Sequence, residues 1–381
     1  MVAQTCSMTA SQGSRRVAAS FRRFRSPART VRPIFPRRCG EASAGLTWSG
    51  GLAGVARSRV HATRYHSGCV IKRTADVGVG LRKPAWLRVR LPPASAAESL
   101  QRTVARHRLH TVCREARCPN ALDCHARGTA TFMILGDICT RACGFCAVTT
   151  GRPGAVDHLE PLRLALAVRE LGLRHVVITS VDRDDLADQG ADHFAACLGA
   201  VRRAVPEARI EVLTPDFQGF VPAIATVVEA RPDIYNHNVE TVPRLYGTVR
   251  PKARFERSIE LLRYVKQLRP DMLTKSGLML GLGERPEEIR SVLQALRDAQ
   301  VDVVTLGQYL RPSMRHLPVR RWAPPDEFAA WADYGHGLGF RHVFAGPLVR
   351  SSFHAAEQVS GLDGSAHSQT ALPLAVGAAG A

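Results

Sequence analysis

The sequence predicts an α/β fold, a partial (β/α)6 barrel of the TIM type preceded by an N-terminal extension. From about residue 160, short apolar runs alternate with amphipathic helical segments in about six units. Such apolar runs are typical of parallel strands that are buried on both faces. Polar clusters follow several of the runs, as expected for a site at the carboxyl ends of barrel strands. A doubly wound sheet is the architectural alternative.

The predicted elements alternate along the chain according to the spacing of their apolar residues. Recurrence at helical spacing predicts helices at 98–109, 161–171, 192–205, 220–230, 254–268, 286–299 and 325–339. Apolar runs of strand length predict strands at 130–137, 175–181, 209–215, 234–240, 273–284, 301–307 and 342–347. The fifth of these strands ends in the glycine-rich stretch GLGE.

Most of the net charge of +19 lies at the N-terminus. Residues 1–80 carry 14 of the 52 Lys and Arg but only two of the 33 acidic residues, which leaves +7 for the rest. This composition predicts a disordered basic tail, with a mitochondrial or plastid transit peptide and an overextended start as alternatives. We expect no nucleic-acid partner, because the excess charge lies mainly in this tail. No apolar run approaches 18 residues, so we also expect no membrane partner and a cytoplasmic location.

The cysteines fall into two arrays and four single positions. In a long chain without an evident export signal, clustered cysteines indicate metal binding or redox chemistry rather than disulfides. Cys6, Cys39 and Cys69 lie in the tail, and Cys197 stands alone in a predicted helix. The remaining six form a C-x4-C-x5-C array at Cys113, Cys118 and Cys124 and a C-x3-C-x2-C array at Cys139, Cys143 and Cys146.

The C-x3-C-x2-C array, CTRACGFC, suits three corners of a [4Fe–4S] cluster whose fourth iron stays open for a ligand. Zinc is the alternative, with His125, His158 or a distant cysteine as a fourth ligand. The array resembles that of the radical S-adenosylmethionine enzymes, which have an aromatic residue before the last cysteine, here Phe145. The resemblance implies that the open iron binds S-adenosylmethionine, which one electron cleaves to methionine and a 5′-deoxyadenosyl radical.

Residues at predicted strand ends are the candidates for binding S-adenosylmethionine. The polar clusters there comprise Asp182, Arg183, Asp184 and Asp185, then Asn236, His237, Asn238 and Glu240, and finally Gly281, Gly283 and Glu284. We expect cofactor contacts from Asn238, Glu240, Gly281, Gly283 and Glu284. Glycine lets backbone amides approach a ligand closely. Taken singly, any of these residues could equally form a helix cap or a turn.

The upstream array makes the resemblance narrower. CREARCPNALDC directly precedes the radical array, and the blocks VDRDDLADQGADHF, YNHNVETVPRLY, KSGLMLGLGE and RSSFHA follow in order. Residues 83–358 are thereby very similar to the lipoyl synthases. The resemblance implies an auxiliary [4Fe–4S] cluster on Cys113, Cys118 and Cys124, with Ser352 as its fourth ligand. Phe353 replaces the tyrosine of the family motif, which removes a hydroxyl but leaves both serines.

The family's activity is the insertion of two sulfur atoms, at carbons 6 and 8 of a protein-bound octanoyl-lysine. The resemblance implies two [4Fe–4S] clusters, one sacrificed for its sulfur, and two S-adenosylmethionine molecules, with catalytic roles for Cys139, Cys143, Cys146 and Ser352. The implied partners are octanoylated lipoyl carrier domains (the 2-oxoacid dehydrogenase E2 or the glycine cleavage H protein), an electron donor and an iron–sulfur cluster carrier. Arg183, Lys275 and Arg311 are candidates for attracting an acidic carrier.

Two other functions remain open from the residues alone. One is a different two-cluster radical enzyme of the methylthiotransferase type, and the other is a zinc or nucleic-acid binding protein. The predicted domain organisation is a tail at 1–80, an arm carrying the auxiliary array at 81–130, the partial barrel at 131–350, and a segment with the serine motif and a flexible tail at 351–381.

Overall fold

The computed structural model describes residues 82–87, 95–118, 120–126, 130–355 and 357–358. All of them belong to one compact unit. The predictions for the basic tail at 1–80 and for residues 359–381 lie outside the described residues.

The chain forms ten strands and ten α-helices in its described part. The strands are β1 (His110–Thr111), β2 (Thr131–Ile134), β3 (Ile138–Cys139), β4 (Thr149–Thr150), β5 (His175–Ser180), β6 (Arg209–Leu213), β7 (Ile234–Asn236), β8 (Leu273–Leu280), β9 (Val303–Gln308) and β10 (His342–Gly346). The helices are α1 (Ser95–Arg106), α2 (Val112–Glu115), α3 (Ala121–Ala126), α4 (Glu160–Glu170), α5 (Ala191–Ala204), α6 (Val221–Glu229), α7 (Tyr246–Val249), α8 (Phe255–Leu268), α9 (Pro286–Asp298) and α10 (Pro325–Gly337).

Eight strands form one sheet in the order β1-β2-β5-β6-β7-β8-β9-β10. All neighbours are parallel except β1, which pairs antiparallel with β2. The strands follow one another in chain order, whereas a doubly wound sheet reverses its direction at a switch point. Six β/α pairs followed by a seventh parallel strand therefore make a partial barrel, and the predicted fold class is confirmed. No ladder joins β1 to β10 within the described residues, so the barrel stays open there.

The amphipathic helices cover the outside of the sheet. In α9 the buried residues recur at helical spacing: Ile289, Val292, Leu293 and Leu296. This spacing places them on one face, which packs against the strands. Proline occupies one of the first two positions of α4, α6, α9 and α10. Its fixed φ and missing N–H suit the first turn of a helix.

A fully buried ion pair lies among the barrel strands. Lys275 on β8 places its Nζ 2.9 Å from Oε1 of Glu211 on β6, and both side chains are 0% exposed. Asn236, on the intervening strand β7, donates to the same oxygen at 2.9 Å. The prediction that Lys275 attracts an acidic partner is therefore wrong, because its ammonium group is buried and already paired.

Candidate active site

The C-x3-C-x2-C loop is closed at its base by two short parallel strands. Cys139 ends β3, which pairs with β4 on the far side of the loop. The amide of Gly151 donates to the carbonyl of Cys139 at 3.0 Å, and that of Cys146 to the carbonyl of Cys143 at 3.1 Å. The three cysteines thus occupy one tightly connected loop.

Neighbouring segments hold this loop from two sides. The Gly144 amide donates to the carbonyl of Val249 at 2.9 Å, and its own carbonyl accepts from the Leu317 amide at 3.0 Å. A Cβ at position 144 would lie 2.9 Å from the Leu317 side chain and 3.1 Å from the Thr248 carbonyl oxygen. Glycine therefore fits this position because the surrounding chain approaches too closely for a side chain.

Arg141 fastens the loop to the carboxyl ends of β5 and β6. Its guanidinium lies 2.7 Å from Asp184, 2.8 Å from Asp216 and 3.3 Å from Asp182, and the residue is 4% exposed. Burial opposes the charge, but these carboxylates outweigh it and raise the pKa of Arg141. The Cys139 Sγ lies 3.6 Å from Oδ2 of Asp182. Sequence reasoning named Asp182 and Asp184 but missed Arg141 and Asp216, which carry no spacing pattern.

The three thiols of this loop are half-buried and close enough to repel one another when ionised. Burial raises the pKa of Cys139 to about 11 and that of Cys143 to about 12, and it raises the pKa of Cys146 as well. Repulsion from Asp182 and from the neighbouring thiols adds to the pKa shifts of Cys139 and Cys143, while Arg250 partly offsets the shift at Cys143. Because metal ligation requires thiolates, loading of this loop must release protons.

The second triad lies on two short helices of the N-terminal arm. Cys113 belongs to α2, Cys118 follows it, and Cys124 belongs to α3. The amide of Cys118 donates to the carbonyl of Cys113 at 3.1 Å, and that of Cys124 to the carbonyl of Asn120 at 2.9 Å. Burial raises the pKa of Cys113 to about 11 and that of Cys124 to about 12, and repulsion from the neighbouring thiols adds to both shifts.

Ser352 lies in the same pocket as the second triad. This pocket is lined by Cys113, Cys118, Asn120, Cys124, Thr131, Arg350, Ser352 and Phe353. The Asn120 side chain donates to the carbonyl of Leu348 at 2.7 Å, and the His354 ring lies 2.9 Å from the Asp123 carboxylate. These contacts bring the chain after β10 against α3. Three thiols and one hydroxyl therefore meet although the serine lies more than 200 residues downstream.

Phe353 fills its position by packing. Its ring stacks on that of His354 with centroids 3.9 Å apart. The departure from the tyrosine of the family motif thus replaces a hydroxyl with an apolar pocket wall.

Ser351 points away from that pocket, towards the barrel. Its hydroxyl donates to Oδ1 of Asn238 at 2.8 Å. A Cβ at Gly277 would lie 2.7 Å from the same Asn238 oxygen and 2.9 Å from the Ser351 hydroxyl. A Cβ at Gly307 would collide with the carbonyl of Val349. Glycines on β8 and β9 therefore admit the serine segment to the end of the barrel.

Arg350 lines the pocket of the second triad, and the charge of Glu240 acts on both Arg350 and Cys146. Burial lowers the pKa of Arg350, and the charges of Cys118 and Glu240 oppose that shift. Burial raises the pKa of Glu240, and Arg250 and Arg350 oppose that shift. Arg250 donates to the carbonyl of Asn238 at 2.8 Å. Sequence reasoning missed Arg250 and named Arg350 only as part of the serine motif.

In the GLGE loop, the carboxylate of Glu284 binds the backbone amides of the loop itself. Glu284 accepts hydrogen bonds from the amides of Gly281, Leu282 and Gly283 at 2.7, 2.9 and 3.0 Å. The φ angles of 103° at Gly281 and 110° at Gly283 require glycine. Glu284 therefore already occupies these amides in the structure, and the role of Gly281, Gly283 and Glu284 as S-adenosylmethionine contacts stays a prediction.

Arg183 is likewise unsuited to attract a partner. It is 3% exposed, and its guanidinium donates to Asp185 at 2.8 Å and to the Gly154 carbonyl at 3.0 Å. These hydrogen bonds stabilise the conformation of the chain that follows β5. Of the three basic candidates, only Arg311 keeps a partly exposed side chain.

The two cysteine triads fit iron–sulfur clusters better than single metal ions. In the described ranges, no three His, Cys, Asp or Glu side chains converge closely enough to ligate one metal ion. Each protein ligand of an iron–sulfur cluster binds a different iron, so cluster ligands need not meet at one point. Two separate triads of free cysteines, most of them half-buried, fit two such clusters. Within the part of the chain that is described, no helix is long and apolar enough to span a bilayer.

Comparison with known proteins gives the family of the chain. The model of the radical SAM superfamily matches residues 133–296. Lipoyl synthase of Rubrobacter xylanophilus is 56% identical over 276 residues, 72% of this chain and 86% of that protein. Those of Alcanivorax borkumensis and Aeromonas hydrophila subsp. hydrophila are 53% and 54% identical over 283 residues, 74% of this chain and 87% and 88% of theirs. The chain belongs to the lipoyl synthase family, radical S-adenosylmethionine enzymes that insert sulfur and use [4Fe–4S] clusters.

Proposed function

We propose that this chain makes the lipoyl group by inserting sulfur at carbons 6 and 8 of an octanoyl chain bound to a carrier lysine, and that its two cysteine triads hold separate clusters. The observation that carries the proposal is the meeting of Cys113, Cys118, Cys124 and Ser352 in one pocket. The radical loop by itself indicates only the superfamily, whereas this second donor set is needed for sulfur insertion.

Cys139, Cys143 and Cys146 would hold the cluster that works with S-adenosylmethionine. A [4Fe–4S] cluster and this nucleotide supply the radical chemistry that removes hydrogen from an unactivated carbon. Arg141 positions the loop through three carboxylates, and Gly144 lets two neighbouring segments clamp it. The protein thereby supplies orientation and exclusion of water, while the cofactors supply the reactivity.

Ser352 would complete the auxiliary site that provides the sulfur. Thiolates are the usual ligands of these irons, and an alkoxide is a harder partner that we expect to leave more readily. Phe353 gives this pocket an apolar wall beside the serine. A ligand that leaves readily suits a cluster that is consumed.

Asn238 and Glu240 are the proposed contacts for S-adenosylmethionine. Asn238 accepts from Ser351, and its carbonyl accepts from Arg250. Gly281, Gly283 and Glu284 remain proposed contacts, but their amide–carboxylate bonds would have to rearrange before the amides could bind a ligand.

Lipoyl synthases act on lipoyl carrier proteins. The specific carriers we propose are the 2-oxoacid dehydrogenase E2 domain or the glycine cleavage H protein, together with an electron donor and an iron–sulfur cluster carrier. A cytoplasmic location, with mitochondrion or plastid as the alternative, is likewise a proposal that cell fractionation would test.

Anaerobic reconstitution with an octanoyl-lysine peptide, S-adenosylmethionine and a reductant tests the function. We expect about eight irons per chain and a thiolated product. Cys118→Ala should still cleave S-adenosylmethionine but should not insert sulfur. Cys143→Ala should lose both cleavage and sulfur insertion. Full iron loading without product in the wild-type protein would refute the function. Loss of cleavage in Cys118→Ala would refute the division of labour.

A further inference from the structure

Residues 311–317, between β9 and α10, form a projecting loop that we call the tongue. Its base is fixed to the radical loop, since the His316 ring donates from Nε2 to the carbonyl of Cys146 at 2.9 Å. The Leu317 amide donates to the carbonyl of Gly144 at 3.0 Å. The tongue therefore has a fixed position relative to two residues of the C-x3-C-x2-C array.

Side chains within the tongue brace it internally. Arg311 donates from Nε to the carbonyl of His316 at 2.8 Å, and from Nη2 to the carbonyl of Met314. Ser313 lies 2.9 Å from Nδ1 of the His316 ring. On the underside, Leu317 packs against a small apolar cluster that includes Tyr309 and Phe145. A loop braced in this way loses little conformational entropy when a partner binds.

The outer side of the tongue exposes an apolar tip next to positive charge. Met314 is 83% exposed, the highest value among the exposed large hydrophobic residues of the described chain, above Leu159 at 63%. Arg315, the next residue, is exposed, and so is Arg320 five residues further along the chain. Of the four arginines in 309–325, Arg321 pairs with Glu284 and Glu327 and Arg311 braces the tongue, so Arg315 and Arg320 supply the exposed charge. A braced loop that holds a methionine in water above a basic surface has the features of a recognition element.

We propose that the tongue is the docking element for the carrier domain, with Met314 as its apolar anchor and Arg315 and Arg320 as a basic rim facing acidic residues of the carrier. This inference rests on the proposed function. The carrier must bind in a position from which its acylated lysine reaches the radical loop. The tongue is hydrogen-bonded to that loop, so a carrier bound to the tongue would lie close to it. A flexible methionine adapts to varied apolar surfaces, and complementary charge speeds association and selects the partner.

Two substrates separate docking from chemistry: an octanoylated carrier domain and a short octanoyl-lysine peptide. Their kcat/KM ratio is measured for the wild type and for Met314→Asp and Arg315→Glu. Leu162→Asp and Arg263→Glu serve as matched controls, because both positions are exposed and lie on α4 and α8, away from the tongue. We expect the ratio to fall about tenfold in the tongue variants through a higher KM for the carrier, and to be unchanged in the controls. Added salt should lower the ratio of the wild type.

A ratio that is the same in all variants would overturn the proposal. So would an equal loss on both substrates, which would make the tongue a support of the radical loop. If sedimentation shows that Met314→Asp only dissociates a dimer of this chain, the tongue binds a second copy and the proposal is also overturned. If the wild type converts neither substrate, the proposed function fails by itself. Calorimetric titration of the octanoylated carrier into the wild type and into Met314→Asp then measures carrier binding without turnover. We expect the variant to bind the carrier about tenfold more weakly.

Discussion

At the scale of single residues, the adjacent serines 351 and 352 point in opposite directions. Ser351 donates to Asn238 at the barrel end, while Ser352 lines the pocket of the second triad. We expect Ser352→Ala to leave one auxiliary iron without a protein ligand. Iron loss from that site to a chelator, measured anaerobically by absorption, should then be about tenfold faster. Ser351→Ala is the matched control and should lose iron at the wild-type rate. Equal rates in the two variants would contradict the assignment.

A second prediction concerns His237, which is buried and uncharged. Its ring contacts the carbonyl of Thr214 and the hydroxyl of Ser258, both at 2.9 Å. Burial, with the charge of Arg250, lowers its pKa to about 4 from the ordinary 6.5. Between these values the unfolded chain binds more protons than the folded one, so stability falls as the pH drops from about 6.5 towards 4. We expect the melting temperature to fall over this range and to fall less steeply in His237→Gln. Identical slopes would contradict the prediction.

The residues that sequence reasoning missed share one property. Arg141 and Arg250 have no repeated spacing, and the carboxylate partners of Arg141 lie 41 or more residues away in sequence. An arginine in isolation resembles a surface residue, and only the fold supplies its carboxylates. The cysteines, in contrast, carry their pattern in their own spacing.

At the scale of elements, glycines on neighbouring strands govern the path of the serine segment. Gly307 on β9 faces the carbonyl of Val349, with no room for a side chain. Gly307→Ala should therefore displace residues 349–352 and prevent binding of the auxiliary cluster, so that the total iron per chain falls by about half. Cleavage of S-adenosylmethionine at the radical loop should persist. Iron analysis and an S-adenosylmethionine cleavage assay measure the two effects.

Gly337 on α10 provides the matched control. A Cβ there would meet nothing within 4 Å. Gly337→Ala should keep the full iron content and leave the melting temperature equal or slightly higher, because alanine favours the helix. If both glycine variants keep auxiliary iron, close approach at β9 does not direct the serine segment.

The main helices and strands could be predicted because their apolar periods are long. The predicted helix at 286–299 and the observed Pro286–Asp298 differ by one residue, and the predicted strand at 175–181 appears as His175–Ser180. The two-residue strands β1, β3 and β4 were not predicted. Two residues have no period, and their conformation comes from pairing within the folded chain.

At the scale of the whole molecule, strand order was the part that periodicity left open. Apolar runs predicted buried parallel strands, but the same runs suit a doubly wound sheet. From β5 to β10 each strand pairs with the next strand along the chain, which is the order of a barrel and not of a doubly wound sheet. The arm at 81–130 shares this sheet, because β1 pairs with β2. Its separation as a domain therefore stays a prediction.

The buried pair Glu211 and Lys275 yields the last prediction. Although burial opposes ionisation, the Lys275 ammonium and His175 lower the pKa of Glu211 to about 2. Removing one partner leaves an uncompensated charge inside the barrel. Lys275→Met should therefore reduce the free energy of unfolding by about 3–5 kcal/mol, measured by anaerobic denaturant unfolding.

The double variant Glu211→Gln and Lys275→Met should recover most of this loss, because no buried charge then remains unpaired. Asp271→Asn breaks the exposed pair with Arg269 and serves as the control, for which we expect no measurable change. If the double variant is as unstable as Lys275→Met alone, lost packing rather than unpaired charge accounts for the effect. Recovery would show instead that the interior of this barrel tolerates the pair only because each charge neutralises the other.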